Sequence, residues 1–283
     1  MSIKTLNNPS EKEILSYLEL GVPFKVLGRM EKWPLMKKWN YKYFKKNFGK
    51  NMIGVKDLSI KSDNPERFKM IIDDYIKYLE SDDQSKLYYA SDISIESLSK
   101  DLFKDYDMDF IKKFDIFRNY VSNELRWVFL GKKGTYTGLH LDIYSTAAWL
   151  GLITGRKRFY FFNPFDSEKI KIFSDKFDGL NLNDLSGEYK SFFDSLNPEV
   201  IDLLPGEIVF TPNNYYHYVI NLEDSIALTE NFSHKSIEKE VLKNFYYSND
   251  IFENLYFFLI YHENYFFLIF IIILTIYLYY RFK

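Results

Sequence analysis

The chain has no cysteine among its 283 residues. Disulfides are therefore excluded, and so is any zinc site built from thiolates. Histidine is almost as scarce, with only His140, His217, His234 and His262. An excess of charge is lacking too. The 37 Lys and Arg against 39 Asp and Glu leave a formal net charge of −2, which gives no electrostatic case for a nucleic-acid partner. At the N-terminus, MSIKTLNNPSEKEILSYLEL has no basic start followed by an apolar run, so no secretory leader is read there. The bulk of the chain is accordingly expected in the cytosol or nucleus. There is no internal repeat and no low-complexity linker.

Apolar residue types make up 47% of the chain, enough to build a sizeable core and to argue against wholesale disorder. The length suits one large domain or two modest ones. One apolar run stands apart. Tyr265 to Tyr280 (YFFLIFIIILTIYLYY) carries no charge and is followed by Arg281 and Lys283. As a helix it is roughly 24 Å long, a little short of a ~30 Å hydrocarbon core. Flanking Tyr rings suit the interface, and the terminal cations can snorkel. We expect a single C-terminal membrane anchor with the rest of the protein cytosolic. The alternative is a buried or dimer-forming helix in a soluble cytoplasmic or nuclear protein, since an apolar helix has to be covered by something.

Taken in order, residues 11–20 read as a helix, Pro23 to Gly28 as a strand, Trp39 to Gly49 as a helix and NMIGVKD as a strand. Glu66 to Leu79 has apolar residues at helical spacing and is expected as one helix. KLYYASD is a short strand, and 92–118 a polar connection. From Leu125 the texture changes to short strands with turn residues between them. LRWVFLG, TGLHLD, TAAWLGLIT and RKRFYFFNP come first, then a polar stretch from Asp166 to Asn197, then EVIDLL, EIVFTP, HYVINL and SIALTENF. Eight such strands suggest a mainly β fold: a double-sheet jelly roll of the cupin kind. The division expected is an α/β segment over 1–115, a catalytic barrel over 116–245, and a hydrophobic C-terminal helix over 246–283.

The chemistry concentrates in GTYTGLHLDIYSTAAW. Side chains alternate along a strand, so His140 and Asp142 present an imidazole and a carboxylate to the same side. Two histidines and a carboxylate on one face of an ion form the facial triad of non-haem Fe(II) oxygenases. The third ligand can come from a distant strand, and His217 in PNNYYHYVINL is the best candidate. Each has a plainer reading, as a strand pair without a role and as a satisfied core histidine. His234 and His262 are read as structural or surface residues.

Together, GTYTGLHLDIYSTAAW, GRKRFYFFNP and LLPGEIVFTPNNYYHYVINLEDSIALTENF resemble the Jumonji C (JmjC) oxygenases, most of all the protein lysyl-hydroxylase branch. PFKVLGRMEKWPLMKKW is similar to that branch's entry segment, and the likeness covers roughly residues 20–235. The resemblance implies a double-stranded β-helix that binds Fe(II) and 2-oxoglutarate and consumes O2. It implies His140, Asp142 and His217 as iron ligands. It also implies Lys157 as the partner of the distal carboxylate of 2-oxoglutarate, with Thr137, Thr229, Asn231 and, through a looser match, Tyr88 around it. On composition alone, Lys157 between Arg156 and Arg158 reads as a solvated basic turn. One departure is visible: Leu150 stands where the family usually has Asn.

The function implied is hydroxylation of a protein side chain such as lysine, arginine or asparagine. The alternatives of the same class are N-methyl demethylation and RNA-base hydroxylation. A further alternative is a non-catalytic, membrane-tethered binding protein, whose expected mark is a lost ligand; here all three ligand positions are filled. A protein or peptide is the expected partner, and a homodimer is compatible with the sequence.

Overall fold

The computed structural model describes residues 3–59, 65–83, 85–113, 115, 125–171, 182 and 185–248. Its strands are β1 (Lys4–Asn7), β2 (Phe24–Leu27), β3 (Met52–Asp57), β4 (Arg67–Ile71), β5 (Tyr88–Ser94), β6 (Arg126–Gly131), β7 (Tyr136–His140), β8 (Ala147–Thr154), β9 (Lys157–Phe161), β10 (Glu199–Leu203), β11 (Ile208–Thr211), β12 (His217–Asn221) and β13 (Ser225–Phe232). They form two sheets. The larger has the order β1-β2-β11-β8-β13-β6-β5-β3-β4, and the smaller β10-β9-β12-β7. From β6 to β13 the chain steps back and forth between the sheets, staying in one sheet only from β9 to β10. That is the jelly-roll core expected from the eight-strand pattern.

The strand patterns follow from what covers each face. β8 and β13 sit in the middle of the larger sheet and are buried at almost every position. One face of β8 sends Trp149 and Ile153 into a core shared with Met30, Trp33 and Phe232. Its other face sends Leu150 and Leu152 between the sheets, against Phe159, Phe161, Val209 and Val219. Burying each such side chain contributes about 1.5–3 kcal/mol, so both faces of β8 read apolar.

The segment ahead of the barrel supplies both flanks of the larger sheet. β2 pairs antiparallel with β11, aligning Val26 with Ile208, while β5 pairs with β6 on the far side. Its helices begin and end where local chemistry dictates. Ser10 accepts from the Glu13 amide at the start of Glu11–Leu20, and Gly21 (φ 64°) ends that helix in the left-handed region. Asn40 caps Tyr41–Phe48 in the same way. Trp39 therefore precedes this helix, and its indole N–H donates to Asp105 at 2.8 Å.

Three expectations need correction. Glu66 to Leu79 is not one helix: β4 comes first, then the helix Ile72–Leu79. Pairing of Met52 through Lys56 with Ile71 through Arg67 outweighs the helical spacing. The connection after β5 holds one-turn helices at Ile95–Leu98 and Asp109–Lys112. The polar stretch 166–197 ends in a ten-residue helix, Gly187–Leu196. Among the described residues no helix is long and apolar enough to cross a membrane. The expected anchor, Tyr265 to Tyr280, lies outside the described residues.

Candidate metal centre

Strand register brings two distant histidines together. β7 and β12 run antiparallel with His140 opposite His217, and their ring centroids are 4.1 Å apart. Each imidazole is oriented by a backbone carbonyl two residues before it. His140 Nδ1 lies 2.8 Å from the Gly138 carbonyl, and His217 Nδ1 2.9 Å from the Tyr215 carbonyl. A carbonyl only accepts, so each Nδ1 carries the proton and each Nε2 keeps its lone pair for a metal. His217 is buried, and burial, helped by the neighbouring His140, pushes its pKa down to about 4. At neutral pH its ring is neutral and able to coordinate.

Asp142 completes the group, but not as a strand residue. β7 ends at His140, and Asp142 is an extended residue (φ −64°, ψ 150°) leading into the turn Ile143–Ser145. One ligand atom each from His140, Asp142 and His217 lie within 4.8 Å of one another. Asp142 Oδ2 is buried without a hydrogen-bond partner among the described residues. A buried carboxylate oxygen with no donor is costly, and a cation between the two imidazoles would satisfy it. The donor set, two imidazole nitrogens and one carboxylate on one side, fits Fe(II) and leaves further positions open.

A cavity of about 270 Å³ opens onto this group. Thr137, Thr229, Asn231, Leu150, Phe129 and Trp127 are among its lining residues, and so are Lys56, Arg67 and Asp92. Thr229 Oγ1 donates to the Trp149 carbonyl at 2.8 Å, and Asn231 Nδ2 donates to Thr146 Oγ1 at 2.9 Å. Leu150 presents an alkyl group there, so this wall makes no polar contact at that point.

Lys157 lies deeper, fully buried on β9. Its register partner is Asn221, four residues beyond His217 on β12, so the two sites are about 13 Å apart along the strand. The ammonium donates to Asn221 Oδ1 at 2.6 Å and to the Tyr89 hydroxyl at 3.3 Å. The Tyr89 and Phe129 rings stand 5.6 and 5.7 Å away. All these partners are neutral, and burial pulls the pKa of Lys157 from 10.5 to about 7. A buried cation without a counter-charge is an anion site in waiting. Phe129 and Thr137 connect it to the cavity: both line the cavity, Phe129 faces the ammonium, and Thr137 hydrogen bonds the Tyr89 phenol.

Tyr88 does not join this group. Its ring packs on Phe68 and Tyr78, at 5.0 and 5.1 Å between centroids. Strand alternation turns its neighbour Tyr89 inward instead. Asn221 was also missed from the sequence, although its spacing of four from His217 places it on the same face. It accepts from Ser225 at 2.7 Å and donates to Thr135 at 2.7 Å, so its carbonyl oxygen stays aimed at Lys157.

Known proteins match this chain broadly. The family described as cupin-like domain matches residues 9–250. An arginine-specific demethylase of Arabidopsis thaliana is 27% identical over 244 residues, 82% of this chain and 46% of that protein. A 2-oxoglutarate and iron-dependent oxygenase of Mus musculus is 26% identical over 71% of this chain and 53% of its own length. A bifunctional arginine demethylase and lysyl-hydroxylase of Caenorhabditis elegans is 25% identical over 75% of this chain and 55% of its own length. The chain thus spans about half the length of these curated relatives.

Proposed function

We propose, since the chain belongs to the family of cupin-like domains, that it is an Fe(II)- and 2-oxoglutarate-dependent oxygenase hydroxylating a side chain of a protein. The observation that carries this reading is the convergence of His140, Asp142 and His217 within 4.8 Å. The names of the relatives, oxygenases and demethylases of the Jumonji C kind, point the same way.

The chain's own residues divide the work. His140, Asp142 and His217 hold the metal from one side. Lys157 binds the far carboxylate of 2-oxoglutarate, with Tyr89 and Asn221 fixing the ammonium. Thr137, Thr229 and Asn231 are among the polar points of the cavity wall, and Leu150, Phe129 and Val219 are among its apolar ones. Iron and 2-oxoglutarate, when bound, supply the oxidising chemistry: O2 is reduced while the keto acid becomes succinate and CO2 and a substrate C–H bond becomes C–OH. Arg67 and Asp92 line the cavity with largely exposed side chains, so they mark the side from which a substrate side chain would enter.

The test is succinate release from 2-oxoglutarate. It should require added Fe(II) in the wild type and fall by at least a hundredfold in His140→Ala. A folded wild-type protein with no metal-dependent turnover would leave only a binding role. The demethylase relatives support a second substrate form, an N-methyl group. Incubation with candidate peptides separates the two: a +16 mass shift marks hydroxylation, and released formaldehyde marks demethylation. We also propose, from the sequence of 265–280 alone, that this run tethers the protein to a membrane with the barrel on the cytosolic side. Full-length protein should then sediment with membranes, and protein cut before Tyr265 should not. Full-length protein in the soluble fraction would refute the tether.

A further inference from the structure

One helix touches both of the turns that flank the candidate ligands. Glu238–Ser248 follows β13, and its Val241 and Phe245 are buried against the core. Glu240 and Asn244 are one turn apart and lie on one face. Glu240 takes both of its contacts from the turn before His217: Oε2 accepts from Asn213 Nδ2 at 3.1 Å, and Oε1 from Asn214 Nδ2 at 2.8 Å. The next residue, Tyr215, is the one whose carbonyl orients the His217 ring. Asn244 grips the turn after Asp142, donating to Ser145 Oγ at 2.9 Å and to the Tyr144 carbonyl at 3.5 Å. Phe245 adds a ring contact with Tyr144 at 5.2 Å.

Both turns need holding. Tyr144, Ser145 and Asn214 have φ of 56°, 56° and 61°. Among the described residues only two other non-glycine positions, Asn8 and Asn197, are left-handed. Left-handed backbone at a Tyr or Ser is strained and persists only where the surroundings enforce it. The strain at Tyr144 and Ser145 sits two and three residues after Asp142, and Asn214, a residue type that tolerates this backbone, stands three before His217.

We propose that Glu240 and Asn244 are positioning residues for the metal centre, and that their helix clasps the two loops that bring Asp142 and His217 to one ion. This rests on the metal reading above. Neither residue lines the cavity, so neither touches substrate; both act through the turns they grip.

The experiment uses the full chain, with Co(II) as a spectroscopic substitute for iron. Wild type, Glu240→Ala, Asn244→Ala, the double variant and Glu240→Gln are titrated with Co(II), following the visible d–d bands, beside Lys243→Ala from the exposed side of the helix. Loosened outer partners of a metal site typically weaken binding about 10–100-fold. That loss is expected in both alanine variants, greater in the double variant and smaller in Glu240→Gln, which keeps one acceptor oxygen. A shift of the d–d bands should accompany it, and Lys243→Ala should match the wild type. Circular dichroism of the metal-free proteins checks folding, and if the double variant does not fold, the single variants carry the same comparison. Folded variants with affinity within twofold of the wild type and unchanged bands would overturn the clasp. A wild type that shows no Co(II) bands would instead overturn the metal reading on which the clasp depends.

Discussion

At the scale of single residues, Lys157 gives the sharpest expectations. A buried ammonium with neutral partners destabilises the fold and prepares an anion site. Lys157→Met should therefore stabilise the cosubstrate-free protein by about 1–3 kcal/mol while abolishing 2-oxoglutarate binding; thermal unfolding and titration of the Mn(II)-loaded protein check the two halves. The pH dependence has a definite sign. The free site has a lysine pKa near 7, and a bound carboxylate raises it, so binding above pH 7 takes up a proton. Affinity for 2-oxoglutarate should fall by up to about tenfold per pH unit above 7, until the raised pKa is reached. Affinity independent of pH between 7 and 9 would contradict this. The sequence made some of these residues legible and not others. His140 and His217 follow from their places in strands, whereas strand alternation points to Asp142 although it stands beyond the end of β7. Tyr88 and Tyr89 are identical neighbours in a strand whose register shifts between Ala90 and Ile93, so no pattern says which ring turns inward. Removing each hydroxyl distinguishes them. Tyr89→Phe should weaken 2-oxoglutarate binding by roughly tenfold, the worth of one hydrogen bond to a cation, and Tyr88→Phe should leave it within twofold.

Elements show why part of the fold was legible and part was not. The barrel strands are bracketed by turn residues, and their apolar content follows from burial on both faces of β8 and β13. β4 escaped notice because Phe68 and Met70 suit a strand as well as they suit the helix that follows; only the pairing with β3 decides it. The loop carrying Asp142 resembles a continued strand in sequence because its two left-handed residues, Tyr144 and Ser145, include no glycine to announce a turn. Where strands cross the site, small residues matter. A Cβ on Gly131 of β6 would stand 2.3 Å from Asn221 Nδ2 and 3.0 Å from the Tyr89 ring. Gly131→Ala should then push both supports away from Lys157. We expect 2-oxoglutarate affinity to fall by about tenfold while Co(II) affinity is unchanged, because the candidate ligand His217 lies at the other end of β12 from Asn221. Equal losses of both affinities would mean that the whole barrel had distorted.

For the whole molecule, the question is whether the barrel stands without the first 115 residues. β2 covers the edge of β11, with Lys25 on Glu207 at 3.0 Å, and β5 covers β6. Trp149 packs against Trp33 and Tyr106 at 6.0 and 5.9 Å. A fragment over 116–245 would expose the edges of β11 and β6 and one apolar sheet face, so it should aggregate on expression; a soluble, two-state fragment would show the flanks to be dispensable. Chain order adds a consequence of the helix Glu238–Ser248. Asp142 is synthesised about a hundred residues before Asn244, in a chain that leaves the ribosome N-terminus first. A nascent polypeptide thus displays the candidate ligand Asp142 long before Asn244, the side chain that grips its turn, has emerged. Iron should bind tightly only once the helix Glu238–Ser248 has emerged, and chains stalled before it should hold metal about 10–100-fold more weakly.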